Sequence, residues 1–492
     1  MAETINLARG KAAEVVLLPR MANRHGCITG ATGTGKTISL QLMAEAFSRQ
    51  GTAVFVADVK GDLSGIAMKG ETNPKLEARL QELGLPTPEF SGNSVVFWDV
   101  FGQSGHAIRA TVSDMGPMLL ARILELNDTQ EGILNIAFRL ADDEGQLLLD
   151  MKDLRAMLNH VTKRATELRA KYGNVSAASV GAIQRALLRL ESEGAEQFFG
   201  EPALDIADWI RTDAQGKGTV NVLMADRLIQ SPRLYSVFLL WMLAELYERL
   251  PEVGDLDKPK FVFFFDEAHL LFNEAPKALV EKIEQVVRLV RSKGVGIYFV
   301  TQNPLDIPEA VLGQLGHRVQ HALRAYTPRD QKAVKTAAQT MRPNQGLDIE
   351  AAITELGVGE ALVSMLDAKG IPTPTERVWM YAPGSRIGPA TEAEKKQILA
   401  ASLFGLKYDT SIDRESAYEV LMKQEQEAAQ QTQASAEKNS GVVGMLNDFL
   451  FGSTGPRGGR KDGLVQATIK TEARRGATKF LRGVLGSLLR SK

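Results

Sequence analysis

The 492-residue chain contains a single cysteine, Cys27, so it cannot form an internal disulfide. A lone cysteine fits a reducing compartment, and in an apolar stretch it is most often a buried structural thiol. The chain also lacks the uninterrupted run of about 20 apolar residues that a membrane-spanning helix needs. Met1 to Gly10 has no apolar segment of the kind found in signal peptides. We therefore expect a cytoplasmic protein.

A large excess of either charge is also missing. The chain has 58 Lys and Arg against 59 Asp and Glu, which leaves a net charge of −1. A protein that coats nucleic acid over a whole face is usually more basic. Any contact with nucleic acid must therefore be local, and the one strongly basic segment is residues 457–492, with ten Lys or Arg and two acids.

Apolar runs of strand length alternate with helical patterns along most of the chain. The continuous apolar runs are typical of strands buried on both faces, whereas helical spacing dominates from Val112 to Ile210. We predict an α/β fold with a mainly parallel sheet, a helical insertion and a helical C-terminal tail. The predicted strands cover residues 26–30, 53–58, 94–100, 219–224, 261–265, 296–301, 318–323, 361–366 and 377–381, and helices are predicted at 37–50, 232–250 and 276–293.

The strongest motif is G-x-x-x-x-G-K-[ST], which lies between a predicted strand and a predicted helix, as this motif requires. Its glycines let backbone N–H groups turn inward around phosphates, and the following helix directs its positive end toward them. Lys36 is expected to contact the β- and γ-phosphates of ATP, and Thr37 to bind Mg²⁺. A chance glycine-rich turn is the weaker interpretation. The predicted nucleotide-binding residues are Gly30, Ala31, Thr32, Gly33, Thr34, Gly35, Lys36 and Thr37.

Two acids and an amide follow other predicted strands. Asp266 and Glu267 come directly after an apolar run, at the end of a strand where ligands bind in parallel sheets. We expect Asp266 to hold Mg²⁺ and Glu267 to polarise the attacking water, although strand-end acids also cap helices. Gln302 ends a further strand and is suited to sense the γ-phosphate, with a turn before Asn303 as the alternative.

Other polar residues have less specific patterns. Asp58 ends the second predicted strand, where it is suited either to the Mg²⁺ shell or to a turn. Arg288, Arg291 and Arg324 flank the strand that carries Gln302, and each is a candidate for contact with a neighbouring subunit's γ-phosphate, although a solvated or salt-bridged role is more common for a single arginine. His317 and His321 lie four residues apart, but no Cys or acid cluster completes a metal site, so core or surface histidines are favoured.

These features together resemble the HerA/FtsK superfamily of ring ATPases, and within it the bacterial HerA-like group. The resemblance covers roughly residues 20–385, between which all the motifs fall. It rests on Asn23 to Gly26, Gly30 to Thr37, the Asp266–Glu267 pair, Arg291 ahead of Gly294-Val295-Gly296, and Thr301 to Pro304.

The resemblance implies a RecA-like core, a homo-hexamer and movement on double-stranded DNA. It makes Arg291 the preferred finger that acts on a neighbouring subunit, and Arg324 the second choice. Only 29 residues precede Gly30, so we do not expect the N-terminal β-barrel that HerA proteins usually carry. We predict an ATPase core in residues 1–110 and 216–385, a helical insertion at 111–215, a helical extension and polar linker at 386–440, and a basic tail at 441–492.

Two other functions remain open from the residues alone. One is an ATPase switch or scaffold that remodels protein partners without moving on DNA, and the other is a membrane-surface assembly factor. The tail bears on both, because an apolar stripe from Phe480 to Leu489 alternates with basic residues at helical spacing. Such a helix is suited to bind a polyanion, to lie on an anionic membrane or to dock on its own ring.

Overall fold

The computed structural model describes residues 3–11, 14–273, 275–431, 453–454 and 460–461. The chain divides into two units, Met1–Tyr418 and Glu419–Lys492. In the second unit, residues 419–431 are helical and Ser453–Thr454 pairs with Arg460–Lys461. The predictions for the polar linker beyond residue 431 and for the basic tail therefore lie almost entirely outside the described residues.

A single twelve-stranded sheet runs through the described part of the first unit, in the order β2-β1-β12-β11-β10-β3-β9-β8-β4-β7-β5-β6. From β10 to β6 every neighbouring pair is parallel, and the pairs from β2 to β10 are antiparallel. This confirms the predicted α/β fold with a mainly parallel sheet. The strands are β1 Ile5–Gly10, β2 Glu14–Leu17, β3 Gly26–Thr29, β4 Ala53–Asp58, β5 Val95–Asp99, β6 His106–Ala107, β7 Val220–Met224, β8 Phe261–Phe265, β9 Val295–Thr301, β10 His317–Gln320, β11 Glu360–Ser364 and β12 Glu376–Met380.

Helices cover the faces of the sheet and build the segment between β6 and β7. That segment holds helices and isolated bridges but no strand, and its two ends meet where Ala110 pairs with Phe199. The helices are α1 Lys36–Arg49, α2 Pro74–Leu83, α3 Val112–Ile123, α4 Asp128–Glu144, α5 Met151–Lys163, α6 Ala165–Tyr172, α7 Ala177–Glu191, α8 Ala195–Phe198, α9 Pro232–Arg249, α10 Lys277–Leu289, α11 Glu309–Leu312, α12 Pro328–Gln339, α13 Ile349–Glu355, α14 Glu392–Ala401 and α15 Gly405–Tyr408. Among the described residues, no helix combines the length and the apolarity needed to cross a bilayer.

The centre of the sheet is buried on both faces. Every residue of β4, β8 and β9 is buried, which explains why these strands read as continuous apolar runs. On one face Phe47 of α1 packs 6.3 Å from Phe264, measured between ring centroids, and on the other face Trp209 packs 4.6 Å from Phe55. These two layers hold the strands in register and so fix where each strand ends.

Some elements differ from the sequence prediction. The predicted strand 318–323 is shorter because β10 ends at Gln320, where His321 turns beneath the loop after β3. The hairpin β1–β2 was not predicted, since polar residues interrupt its apolar pattern. The helices α12 and α13 were also missed, and they pack on each other around a small core of their own.

His317 should make the stability of the protein sensitive to acid. Its Nε2 donates to the carbonyl of Met21 at 2.8 Å, and burial lowers its pKa to about 4. A base whose pKa falls on folding stabilises the fold fully above its unfolded pKa of about 6.5, and this contribution is lost as the pH falls through 4. We therefore expect His317→Gln to lose less free energy of unfolding than wild type, by on the order of 1–3 kcal/mol, between pH 7 and pH 4.

The measurement is urea unfolding of both proteins at a series of pH values. Leu406→Ala serves as the control, because Leu406 is 91% exposed. If the free energy of unfolding falls with pH by the same amount in wild type and His317→Gln, the assignment of His317 as a buried neutral base is contradicted.

Candidate functional site

The loop between β3 and α1 has the conformation that its glycines allow. Gly35 has a φ of 116°, in the region that favours glycine. At Gly30 an added Cβ would lie 2.5 Å from Cβ of His321, so a side chain has no room there. The N–H of Gly359 donates to the carbonyl of Thr34 at 2.9 Å, which connects the loop to the residue just before β11.

Lys36 and Thr37 stand at the first turn of α1, directly after this loop. Lys36 is buried, and its Nζ donates to the carbonyl of Ala31 at 3.1 Å, so the side chain folds back over the loop. Burial lowers the pKa of Lys36, and the negative charge of Glu267 opposes that effect. An ammonium group, a helix N-terminus and inward N–H groups together form an anion-binding site suited to phosphates.

Parallel pairing brings the two predicted acids to the same edge of the sheet. β8 ends at Phe265, and Asp266 and Glu267 follow it; β9 lies between β8 and β3 and ends just before Gln302. The hydroxyl of Thr32 donates to Oε1 of Gln302 at 3.1 Å, so the loop after β3 contacts the end of β9 directly. The structure therefore brings together the phosphate loop, both acids and the amide.

Asp266 fits a magnesium site. Its side chain is buried, and its Oδ2 has no hydrogen-bond partner among the described residues. Burial, and then the charge of Glu267, raise the pKa of Asp266 to about 6. A buried carboxylate oxygen is a donor of the kind that Mg²⁺ prefers, and a bound cation would favour the ionised form of Asp266.

Glu267 is held by three side chains. Its backbone is left-handed, with φ 47° and ψ 48°, where the chain turns out of β8. Nζ of Lys60 forms an ion pair with Oε1, Nδ1 of His269 lies 3.2 Å from Oε2, and Nε2 of Gln302 lies 3.4 and 3.5 Å from the two oxygens. Burial acts to raise the pKa of Glu267, but the hydrogen bond and charge of Lys60, together with Gln302 and the charge of His269, outweigh it, and the pKa is lowered.

Arg324 lies at the same edge of the sheet as the phosphate loop of its own chain, where the parallel strands end. It lines a cavity of about 410 Å³ together with Ala31 and Gln302. Any contact of Arg324 with a nucleotide in that loop would be made within one chain.

Arg291 lies at the other end of the same strands. It precedes β9 and lines a cavity of about 680 Å³ that lies beside the first residues of β3, β9 and β10. Burial, and then the charge of Arg24, lower the pKa of Arg291, and its one ion pair, with Asp255, is 3.9 Å long. Five arginines line this cavity: Arg24, Arg288, Arg291, Arg318 and Arg342.

The remaining candidates have structural contacts. Asp58 accepts the backbone N–H groups of Gly61 and Leu63, so it closes a turn, as one of its two interpretations predicted. His317 and His321 are buried, Cys27 is a buried free thiol, and no metal-binding cluster of three or more His, Cys, Asp or Glu occurs in the part of the chain that the structure describes.

The sequence interpretation missed two residues of this site. Lys60 lies two residues after Asp58, and the sequence indicated only Asp58 as a candidate there. His321 packs beneath the loop. Its Nδ1 donates to the carbonyl of Glu360 at 2.8 Å, and its Nε2 lies 2.9 Å from the hydroxyl of Ser39. No local pattern points to either residue, since both act on partners distant in the chain.

Fold and site together define a RecA-like P-loop ATPase. The sequence profile of the family described as helicase HerA-like C-terminal matches residues 3–492, and the chain belongs to this family. A DNA double-strand break repair helicase HerA from Sulfurisphaera tokodaii is 23% identical over 365 residues, or 72% of this chain. The chain spans 65% of the length of that relative.

Solved structures of the plasmid coupling protein TrwB share the fold. The complex with a non-hydrolysable ATP analogue has a TM-score of 0.52 at 14% identity and covers 78% of this chain and 91% of TrwB. The complex with ADP and Mg²⁺ has a TM-score of 0.51 at 14% identity and covers 80% and 92%. At this level of identity the likeness concerns the fold.

Lys36 and Glu267 should affect hydrolysis in different ways. Lys36→Ala removes a phosphate contact, so both ATP binding and turnover should fall. Glu267→Gln keeps the shape but cannot accept a proton, so it should bind ATP while turnover falls about 10²- to 10⁴-fold. Fluorescent-nucleotide binding and steady-state hydrolysis measure the two effects, with Glu350→Gln on the exposed face of α13 as the control. Near-normal turnover of Glu267→Gln would rule out its role as the base.

Proposed function

We propose that this chain is an ATP-driven ring motor that moves on double-stranded DNA and completes its hydrolysis site with Arg291 of a neighbouring copy. The observation that supports this most strongly is the pair of sites at opposite ends of the same parallel strands. One end has the features of a phosphate and magnesium site, and the other is a cavity lined by arginines, where the ion pair that Arg291 makes with Asp255 is 3.9 Å long.

Within one chain, the residues at the phosphate loop account for binding and for proton transfer. The loop N–H groups and Lys36 neutralise the β- and γ-phosphates of ATP, and Thr37 and Asp266 would hold Mg²⁺, which would offset the charge that develops during hydrolysis. Glu267 accepts a proton from the attacking water, and Gln302, in contact with both the loop and Glu267, orients that water.

Arg291 can act only on another copy. β9 has seven residues, and at about 3.3 Å per residue it spans roughly 20 Å. Arg291 precedes the first of these residues, whereas Gln302 follows the last. A contact between the arginine end of one copy and the phosphate end of the next is heterologous, and such contacts form a ring when the rotation from copy to copy closes. A homo-hexamer is the ring that the family resemblance implies.

The DNA substrate is supported by the family. The family is described as helicase HerA-like, and the relative from Sulfurisphaera tokodaii is named as a DNA double-strand break repair helicase. The net charge of −1 means that any DNA contact has to be made through local basic surfaces. A single buried cysteine and the use of ATP support a cytoplasmic location.

Double-stranded DNA should stimulate hydrolysis. A translocase couples turnover to contact with its track, so we expect ATP turnover to rise severalfold on addition of linear duplex and to return to the basal rate as salt is raised, because phosphate contacts weaken by counterion release. Steady-state hydrolysis with and without duplex measures this. If the rate of ATP hydrolysis at low salt is the same with and without duplex, the alternative of an ATPase switch that remodels protein partners is favoured.

Mixing two inactive variants should restore activity if the site is shared between copies. Arg291→Ala retains the phosphate loop and Lys36→Ala retains the arginine, so some interfaces in a mixed ring pair an intact loop with an intact arginine. We expect the mixture to hydrolyse ATP faster than either variant alone, and Arg189→Ala, on the exposed face of α7, to behave as wild type. A monomer with full activity, or a mixture no better than its components, would contradict the shared site.

A further inference from the structure

The loop that follows β4 carries a lysine to the edge of the site. β4 ends at the buried Asp58, whose carboxylate oxygens accept N–H groups from Gly61 at 2.8 Å and Leu63 at 3.0 Å. Gly61 has a φ of 74°, which lets the chain reverse direction within this turn. Asp58 therefore stabilises the turn at residues 58–63, from which Lys60 projects.

Lys60 reaches the acid that we assign as the general base. Its Nζ pairs with Oε1 of Glu267, whose side chain is 5% exposed, whereas the Lys60 side chain is 42% exposed. His269 contacts the other oxygen, and Gln302 lies at long hydrogen-bonding distance from both. Of these three partners, Lys60 makes the closest contact, and it alone comes from the β4 side of the site.

A general base must be oriented as well as ionised. Glu267 leaves β8 on a left-handed turn, and its side chain has several rotatable bonds, so the backbone alone does not aim the carboxylate. Misplacement of a catalytic group by about 1 Å can cost on the order of 10²-fold in rate. A cation on Oε1 restricts this freedom, while His269 contacts Oε2 and the water-orienting amide of Gln302 lies at nearly equal distances from both oxygens.

Folding stability alone does not explain the pair. The Lys60 side chain is 42% exposed, so solvent screens its ion pair and reduces what the pair contributes to the stability of the fold. Its position favours a role in the chemistry instead, since Lys36, Asp266 and Glu267 all lie within electrostatic range of it.

We propose that Lys60 is a positioning residue for ATP hydrolysis, and that its ammonium group fixes the orientation of the Glu267 carboxylate toward the attacking water. The proposal rests on the assignment of Glu267 as the base. In this arrangement the turn at residues 58–63 links β4 to the reacting end of the site, so a movement of that turn would change the rate without changing the phosphate loop.

The test uses the full chain with Lys60→Gln, which keeps a polar side chain but removes the cation. We expect the affinity for a fluorescent ATP analogue with Mg²⁺ to change less than about threefold, while kcat falls about tenfold or more. Lys60→Arg should recover much of the lost kcat, because a guanidinium also pairs with a carboxylate. Lys396→Gln, on the exposed side of α14 and away from this site, is the matched control and should behave as wild type.

A double variant separates positioning from direct contact with phosphate. If Lys60 acts through Glu267, adding Lys60→Gln to Glu267→Gln should cause no further loss in single-turnover hydrolysis. If Lys60→Gln lowers the hydrolysis rate of Glu267→Gln by the same factor as it lowers the rate of wild type, Lys60 contacts the nucleotide and the proposal is overturned. A loss of ATP affinity in parallel with kcat would have the same meaning. An unchanged kcat in Lys60→Gln alongside an impaired Glu267→Gln would overturn only the role of Lys60. Normal turnover of Glu267→Gln would show that Glu267 is not the general base, and the proposal for Lys60 would then fail as well.

Discussion

Parallel alignment of β3, β9, β8 and β4 is the constraint on which the site depends. The register pairs Thr29 with Thr301 and Ala57 with Phe265, so the chains that leave these strands emerge side by side. One emerging segment is the phosphate loop, another carries Gln302, a third carries the two acids and a fourth carries Lys60. The strands can hold this register because they are apolar on both faces and become polar only where they end.

Burial at this edge explains the network of charges around the loop. Lys36, Asp266 and Glu267 are each less than 8% exposed, and charges removed from water are costly unless opposite charges or hydrogen bonds offset the loss. Lys60 offsets Glu267, whereas the free oxygen of Asp266 has no such partner among the described residues. The acid with an unused oxygen is the one suited to a cation, and the acid with a fixed partner is the one suited to proton transfer.

The opposite ends of the same strands have the reverse electrostatics. Arginines from several elements line one cavity there, and the mutual repulsion of like charges favours an anionic partner. Since the length of β9 separates this cavity from the phosphate loop, one copy cannot use both ends on one nucleotide. A molecule with complementary ends at a fixed separation is suited to head-to-tail assembly, which is the physical basis of the proposed ring.

The sequence by itself determined the nucleotide loop, the acids after β8 and the alternation of buried strands with helices, because each depends on residues close together in the chain. It did not predict the hairpin β1–β2, whose apolar pattern is interrupted, or the small helical core around α12 and α13. Only the tertiary structure decided that Lys60 contacts Glu267, that His321 lies beneath Gly30, and that Arg324 and Arg291 lie at opposite ends of the strands. The first two relations join residues more than 200 positions apart in the chain, and the third depends on which end of a strand each arginine adjoins. All three follow from the order and register of strands in the sheet, which no local pattern encodes.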